Sequence, residues 1–128
     1  MSNLRSVELK AFIPARDFAL SRDFYRDMGF TLASEGGGVA YFHHGNASFL
    51  LQDLHIEALE RNLMMHLLVE DVEAWHARLH DQRIGERYGV CIGPVQVQPW
   101  AMRDFTVSDP SGVLWRIAQN IGEVCPVA

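Results

Sequence analysis

Several residues in this chain have types and spacings that could do chemistry. His76 and His80 lie four apart, so on a helix they share a face and could begin a zinc site. No Glu stands between them and no third ligand is evident, so the pair reads as a solvated helix edge. His43 and His44 adjoin a turn, where imidazoles are ordinary surface groups. Ser108 and Asp109 suggest a hydrolase only with a histidine beside them. Cys91 sits in an apolar stretch, with no electropositive neighbour to lower its pKa, and reads as a buried inert thiol. His66 lies on a short apolar run and could serve as a general base near neutrality. Lys10 and Arg116 fall within strand-like segments, where a charge needs a partner.

The elements that must position these groups are written twice. A short apolar strand runs into an aspartate, and the aspartate opens an amphipathic helix. Ile13-Pro14-Ala15-Arg16-Asp17 precedes Phe18 to Met28, and Leu68-Val69-Glu70-Asp71 precedes Val72 to Leu79. An aspartate at that place accepts unpaired amide hydrogens of the first helical turn. In the first helix Leu20, Phe24 and Met28 line up at i, i+4 and i+8 with Tyr25 beside them, and Gly29 ends it. Phe30 to Ala33 reads as a short strand and Glu35-Gly36-Gly37-Gly38 as a turn. Val39 to His43 and Ala47 to Gln52 form a hairpin around His44-Gly45-Asn46. Asp53 to Asn62 is a connector able to form a short helix. Leu63 to Val69 is the strand before the second helix, and Gly85 closes that helical region. Glu86 to Pro99 gives no clear element. Ala101 to Ser108 and Val113 to Gln119 are strands joined by the turn Asp109-Pro110-Ser111-Gly112.

Strand, helix and about three strands, written twice, with antiparallel strands and helices on one side, make an α+β fold. The chain reads as a single domain over 1–128. Its first module spans about 7–53, a connector 54–62, a second module 63–119 and a C-terminal tail 120–128.

Bulk properties narrow the function classes. The 128 residues are 48% hydrophobic and 21% charged, an ordinary globular composition. No apolar run approaches the ~18 residues of a membrane span. Met1-Ser2-Asn3-Leu4-Arg5 lacks the apolar stretch of a secretory signal. The two cysteines, Cys91 and Cys125, form no close-spaced motif, which points to a cytoplasmic protein with reduced thiols. Eleven Lys and Arg are scattered among sixteen Asp and Glu, for a net charge of -5, which argues against a nucleic-acid partner.

Strand alternation assigns faces. Val7, Leu9, Ala11 and Ile13 point to the core, with Met65, Leu67 and Val69, and with Val113, Trp115 and Ile117. The opposite face carries Glu8, Lys10, Phe12, Ser48, Leu50, Gln52, Met64, His66, Leu68, Leu114 and Arg116. It is mostly apolar with a few polar anchors, the usual make-up of a small-molecule pocket. Phe12 and the adaptable Met64 could grip a planar or hydrophobic group. Trp100 either stacks on a ligand or packs the lip of the cleft. Lys10 and Arg116 either form ion pairs with Glu8 or another carboxylate, or Arg116 clamps an anionic ligand group.

The order and spacing of these pieces resemble the vicinal oxygen chelate superfamily, which includes glyoxalase I, extradiol dioxygenases and bleomycin resistance proteins. The resemblance covers roughly Val7 to Gln119. It rests on Ile-Pro-Ala-Arg-Asp at 13–17, Ser-Arg-Asp-Phe-Tyr at 21–25, Met-Gly-Phe at 28–30, Val-Glu-Asp-Val at 69–72, Asp-Pro-Ser-Gly at 109–112 and Leu-Trp-Arg-Ile at 114–117. The stretch from Gln98-Pro99-Trp100 to Gly112 looks most like bleomycin resistance proteins. The resemblance implies two β-α-β-β-β modules whose antiparallel sheets curl around a cleft. It also implies a homodimer; dimers of such families often build each cleft from the first module of one chain and the second of its partner.

Metalloenzymes of that superfamily bind a divalent ion with His, Glu or Gln on the first and last strand of each module. Those places fall here on Lys10, Leu50, Met64 and Arg116. None is a usual ligand for such an ion, and two are cations. A two-residue slip would bring Glu8, Gln52 and His66 forward as an unorthodox site.

The sequence therefore reads as a homodimeric protein of the bleomycin-resistance type, with neither catalytic metal nor cofactor. It would sequester a drug or metabolite in a cleft lined by Lys10, Phe12, Leu50, Met64, His66, Trp100 and Arg116. The alternatives are a metal-dependent isomerase, lyase or dioxygenase using Glu8, Gln52 and His66, a metal-free enzyme with His66 as base, and a scaffold without ligand.

Overall fold

Both helix starts are set by the aspartates. In the computed structural model, which describes residues 2–122, Asp17 caps α1 (Phe18–Met28) by accepting from the Leu20 amide at 3.1 Å. Asp71 caps α3 (Val72–Asp81) by accepting from the Ala74 amide at 3.1 Å. Gly29 ends α1 with φ 128°, a conformation that a β-carbon would strain. The buried stripe of α1 is Ser21, Phe24, Tyr25 and Met28, rotated away from the expected Leu20, which is exposed. The i, i+3, i+4, i+7 spacing of the observed stripe turns the helix so that both aromatic rings face inward.

Two four-stranded sheets carry the site. The first holds β1 (Phe12–Ala15), β2 (Thr31–Gly36), β3 (Val39–His44) and β4 (Ala47–Asp53), in the order β1-β4-β3-β2. The second holds β5 (Met64–Leu68), β6 (Gln96–Gln98), β7 (Met102–Ser108) and β8 (Leu114–Asn120), in the order β5-β8-β7-β6. Between them lies α2 (Glu57–Asn62), the short helix expected in the connector. The sheets are mixed rather than wholly antiparallel, because β1 pairs with β4 and β5 with β8 in parallel. The reason is topological: the helix reverses the chain, and the following hairpin steps bring the last strand back along the first.

The first strand is shorter than the sequence suggests. It begins at Phe12, not Val7, and Val7 and Leu9 are 99% and 93% exposed, with Ala11 exposed as well. The register explains this. Phe12 pairs with Leu50 in parallel, so Glu8 would stand opposite Asn46, in the turn before β4 begins. Val7 and Glu8 thus fall beyond the start of β4, while Leu9 to Ala11 still lie opposite Ala47 to Phe49 and the Ala11 carbonyl accepts from the Leu50 amide at 2.9 Å. No element covers the face on which Val7 and Leu9 lie.

The helix-facing sides of both sheets meet in one core. Ile13, Phe42, Phe49 and Leu51 of the first sheet share it with Leu67, Phe105, Val107, Trp115 and Ile117 of the second, and with Phe24, Tyr25, Val72 and Leu79 of the helices. Val113 is buried there too, and Met65 and Val69 pack against it, as alternation requires. Two further elements were not legible: β6, inside the unassigned Glu86 to Pro99 stretch, and α4 (Ile84–Tyr88), which starts after Arg83 with its left-handed φ of 56°. Gly85, expected to close the helical region, lies inside α4, and Gly89 with φ 65° closes it instead. Cys91 is exposed, not buried, because its neighbours Val90 and Ile92 pack against the core and the thiol between them points the other way. Cys125 and most of the tail at 120–128 lie outside the described residues. Among the described residues no helix is long and apolar enough to cross a membrane.

Candidate functional site

The sheet faces turned away from the core form two open surfaces. On the first sheet Phe12, Leu50 and Tyr41 stand side by side across three strands. On the second, Met64, Leu114 and Ser108 form one cross-strand row, and His66, Arg116 and Thr106 the next. Phe12, Met64 and Leu68 are each 53% exposed. An isolated exposed apolar side chain is ordinary, but a row of them on a sheet face marks a surface made to be covered.

The charges on these faces are paired. Lys10 Nζ lies 3.1 Å from Glu8 Oε1 and 4.6 Å from the centre of the Tyr41 ring. The Tyr41 hydroxyl donates to Glu8 Oε2 at 2.7 Å. Hydrogen bonds from Ser48 and Tyr41, together with Lys10, hold the Glu8 carboxyl down to about 2. The same contact raises the pKa of Tyr41, since Glu8 accepts its proton and repels the phenolate. On the other sheet, Arg116 Nη1 donates to Asp104 Oδ2 at 3.0 Å, and Gln98 Nε2 donates to Asp104 Oδ1 at 2.9 Å. Asp104 is 2% exposed, so both carboxylate oxygens are spent inside the protein. Of the two readings of Lys10 and Arg116, the ion pairs are the ones the geometry realises. The charges of each face are therefore paired: Lys10 with Glu8 just ahead of β1 on the first, and Arg116 with Asp104 within the second, next to the row of Met64 and Leu114.

Of the seven residues singled out by sequence, Phe12 and Leu50 come together on the first sheet, with Lys10 just ahead of β1. Met64, His66 and Arg116 come together on the second. Trp100 stands in the turn between β6 and β7, at 56% exposure, beyond the end of the second group. The two groups occupy separate sheets and share no hydrogen bond or ion pair. Sequence reasoning missed Tyr41 and Asp104. Alternation along Val39, Tyr41 and His43 could have placed Tyr41 on the open face. An acidic residue inside Met102–Ser108 was the signal for the partner of Arg116.

The metal of the superfamily does not fit these donors. Of the four places where its ligands would fall, Lys10 and Arg116 are ion-paired cations and Leu50 and Met64 are apolar or thioether side chains. The slipped set fails as well. With β1 and β4 parallel, moving back to Glu8 and forward to Gln52 sends the two in opposite directions. Gln52 stands beside Pro14, six residues beyond Glu8, or roughly 20 Å at the rise of an extended chain. Glu8 is moreover bonded to Lys10 and Tyr41. Among the described residues no three His, Cys, Asp or Glu side chains gather where they could hold a metal ion.

The remaining candidates resolve individually. His76 and His80 do share a helix face, ring centres 4.5 Å apart, but His76 Nε2 lies 3.0 Å from the Gly93 carbonyl oxygen and its ring packs on Phe105. Asp109 is bonded to Tyr25 and to the Ser111 and Val113 amides rather than to a histidine.

Comparison with known proteins accords with this architecture. The family model for the Glyoxalase/Bleomycin resistance protein/Dioxygenase superfamily matches residues 9–117. No curated protein matches the chain in sequence. Among solved structures, a bleomycin-binding protein complexed with bleomycin superposes with a TM-score of 0.76 at 21% identity, covering 90% of this chain and 99% of that one. TnmS3, an antibiotic binding protein from Streptomyces sp. CB03234, gives 0.73 at 24% identity, covering 92% and 99%. A lactoylglutathione lyase from Agrobacterium tumefaciens gives 0.66 at 16% identity, covering 90% and 95%. At such identities the likeness is one of fold, and this fold serves binding proteins and a lyase alike. The chain belongs to the Glyoxalase/Bleomycin resistance protein/Dioxygenase superfamily.

Proposed function

We propose that this protein is a homodimer that binds a planar or amphipathic small molecule, such as a bleomycin-like drug, and acts by sequestration without covalent chemistry. The observation that carries the reading is the pair of open, near-neutral sheet faces. Phe12 and Leu50 line one and Met64, His66 and Leu68 the other, with their charges ion-paired and, among the described residues, no three His, Cys, Asp or Glu side chains gathered to hold a metal ion. Bleomycin-binding and antibiotic-binding neighbours of the same fold support it.

In this reading the first-sheet face of one protomer and the second-sheet face of its partner form each cleft. The single domain, with its modules at about 7–53 and 63–119, supplies one wall to each of two clefts. Lys10 and Arg116 act as fixed polar groups beside the ligand, and Trp100 closes over it. Bound drug is withdrawn from its target by mass action.

A mixed-dimer experiment tests the arrangement. Phe12→Glu spoils one wall and Met64→Glu the other, both at half-exposed positions that the folded chain tolerates. Each variant alone is expected to lose binding of metal-free bleomycin. Unfolding and refolding the two together should restore one working cleft per mixed dimer. Failure to recover binding in refolded mixtures would place both walls in one chain and overturn the shared cleft.

A further inference from the structure

We propose a second ligand site, past the end of the second-sheet face and sharing Leu68 with it, that takes a small organic cation with an aromatic or aliphatic body. The tip of the β3–β4 hairpin, the end of β5 and the first turns of α3 enclose a hollow of about 530 Å3. A hollow of about 300 Å3 adjoins it, and the two share His44, Ala74 and Trp75. The larger volume alone lies within the range of small-molecule sites, roughly 300–1,000 Å3. Its walls are chiefly apolar: Ala47, Leu67, Leu68, Val69 and Trp75. Trp75 packs against the core on one side and meets the His44 ring edge-on at 4.9 Å on the other, so its ring is held in place.

The electrostatics select the ligand's charge. Glu70 and Asp71 line the larger hollow, and no Lys or Arg does. Glu70 takes part in no ion pair among the described residues. Arg78 lines the smaller hollow, but its guanidinium is bonded to the carbonyl oxygens of Met28 and Asp27. The start of α3 does not offer itself to an anion either. Its Ala74 amide donates to Asp71, and its Val72 amide donates to Gln119 Oε1 at 2.9 Å. What remains is a fixed indole, an apolar wall and an unpaired carboxylate. A cation beside an aromatic ring gains from the ring's negative face, and Glu70 adds a second attraction. An anion would meet two carboxylates.

Benzyltrimethylammonium is a suitable probe, with benzoate and benzyl alcohol as its anionic and neutral counterparts. Binding is read from proton–nitrogen NMR spectra, with the Trp75 indole signal identified by its loss in Trp75→Phe. The ammonium compound is expected to shift that signal saturably and benzoate to leave it unmoved. Glu70→Gln should weaken binding at least five-fold. Ala74→Leu, at an exposed helix position facing both hollows, should abolish it by filling the space. The proposal is overturned if the Trp75 signal does not respond, if benzoate binds as well as the cation, or if Glu70→Gln leaves the affinity unchanged. A response confined to Trp100 also overturns it, because that would report the cleft instead. The result is independent of whether the sheet faces bind a drug.

Discussion

Tyr25 joins the two halves of the chain with one hydroxyl. It donates to Asp109 Oδ2 at 2.6 Å and accepts from Trp115 Nε1 at 2.8 Å. Burial pushes the Asp109 carboxyl up, against the opposing pull of Tyr25 and the turn amides. Tyr25→Phe leaves an indole N–H and a carboxylate oxygen without their partner in a site closed to water. The expected loss is about 1–3 kcal/mol, seen as a lower urea midpoint with unchanged slope. Trp100 is the opposite case. Its exposed ring supports little of the fold, so Trp100→Ala should change stability by no more than about 0.5 kcal/mol while weakening bleomycin binding ten-fold or more. Equal affinity of variant and parent would remove Trp100 from the site. At this scale the sequence showed that Lys10 and Arg116 needed partners, because a lone charge on a sheet face is costly. It did not show that Asp104 was the partner of Arg116, since that follows from a β7–β8 register that no local pattern specifies.

In the proposed dimer, the N-terminal arm ahead of β1 is the element available to hold the second copy. Leu4, Val7 and Leu9 are exposed along it, while Glu8 ties it to Tyr41. Glu8 has an ordinary value of 4.5 and is lowered to about 2 in the fold. Because the folded value is the lower one, this contact is at full strength above pH 4.5 and is lost as pH falls toward 2. An NMR titration of the Glu8 side chain should show a midpoint near 2, rising toward 4.5 in Tyr41→Phe; an unmoved midpoint would deny the tether. Removing residues 2–9 should shift the protein from dimer toward monomer, as read by light scattering after gel filtration. A full dimer without the arm would mean that the sheet faces associate unaided. Helices, caps and the β3–β4 hairpin were legible because each has a local cause: an aspartate, a glycine or an alternation. The early end of β1 was not legible, because it turns on whether another element covers the face of Val7 and Leu9, which no local pattern shows. Nor was α4, whose start needs Arg83 in a backbone conformation that favours glycine.

Over the whole molecule, two similar modules spend one sheet face each on a common core and leave the other open. That division was readable from alternation, which put Phe12, Met64 and His66 on one side and Ile13, Leu67 and Trp115 on the other. How the open faces are completed was not readable, since it depends on contacts between residues far apart or in different chains. The same arrangement puts two ion-paired cations, Lys10 and Arg116, and the side chains of Leu50 and Met64 where the superfamily resemblance implies metal ligands. The proposed drug binding in the cleft is tested most directly by a tryptophan-fluorescence titration with metal-free bleomycin. The account predicts saturable quenching with one site per chain, lost in Trp100→Ala. No change in fluorescence at large ligand excess would contradict it.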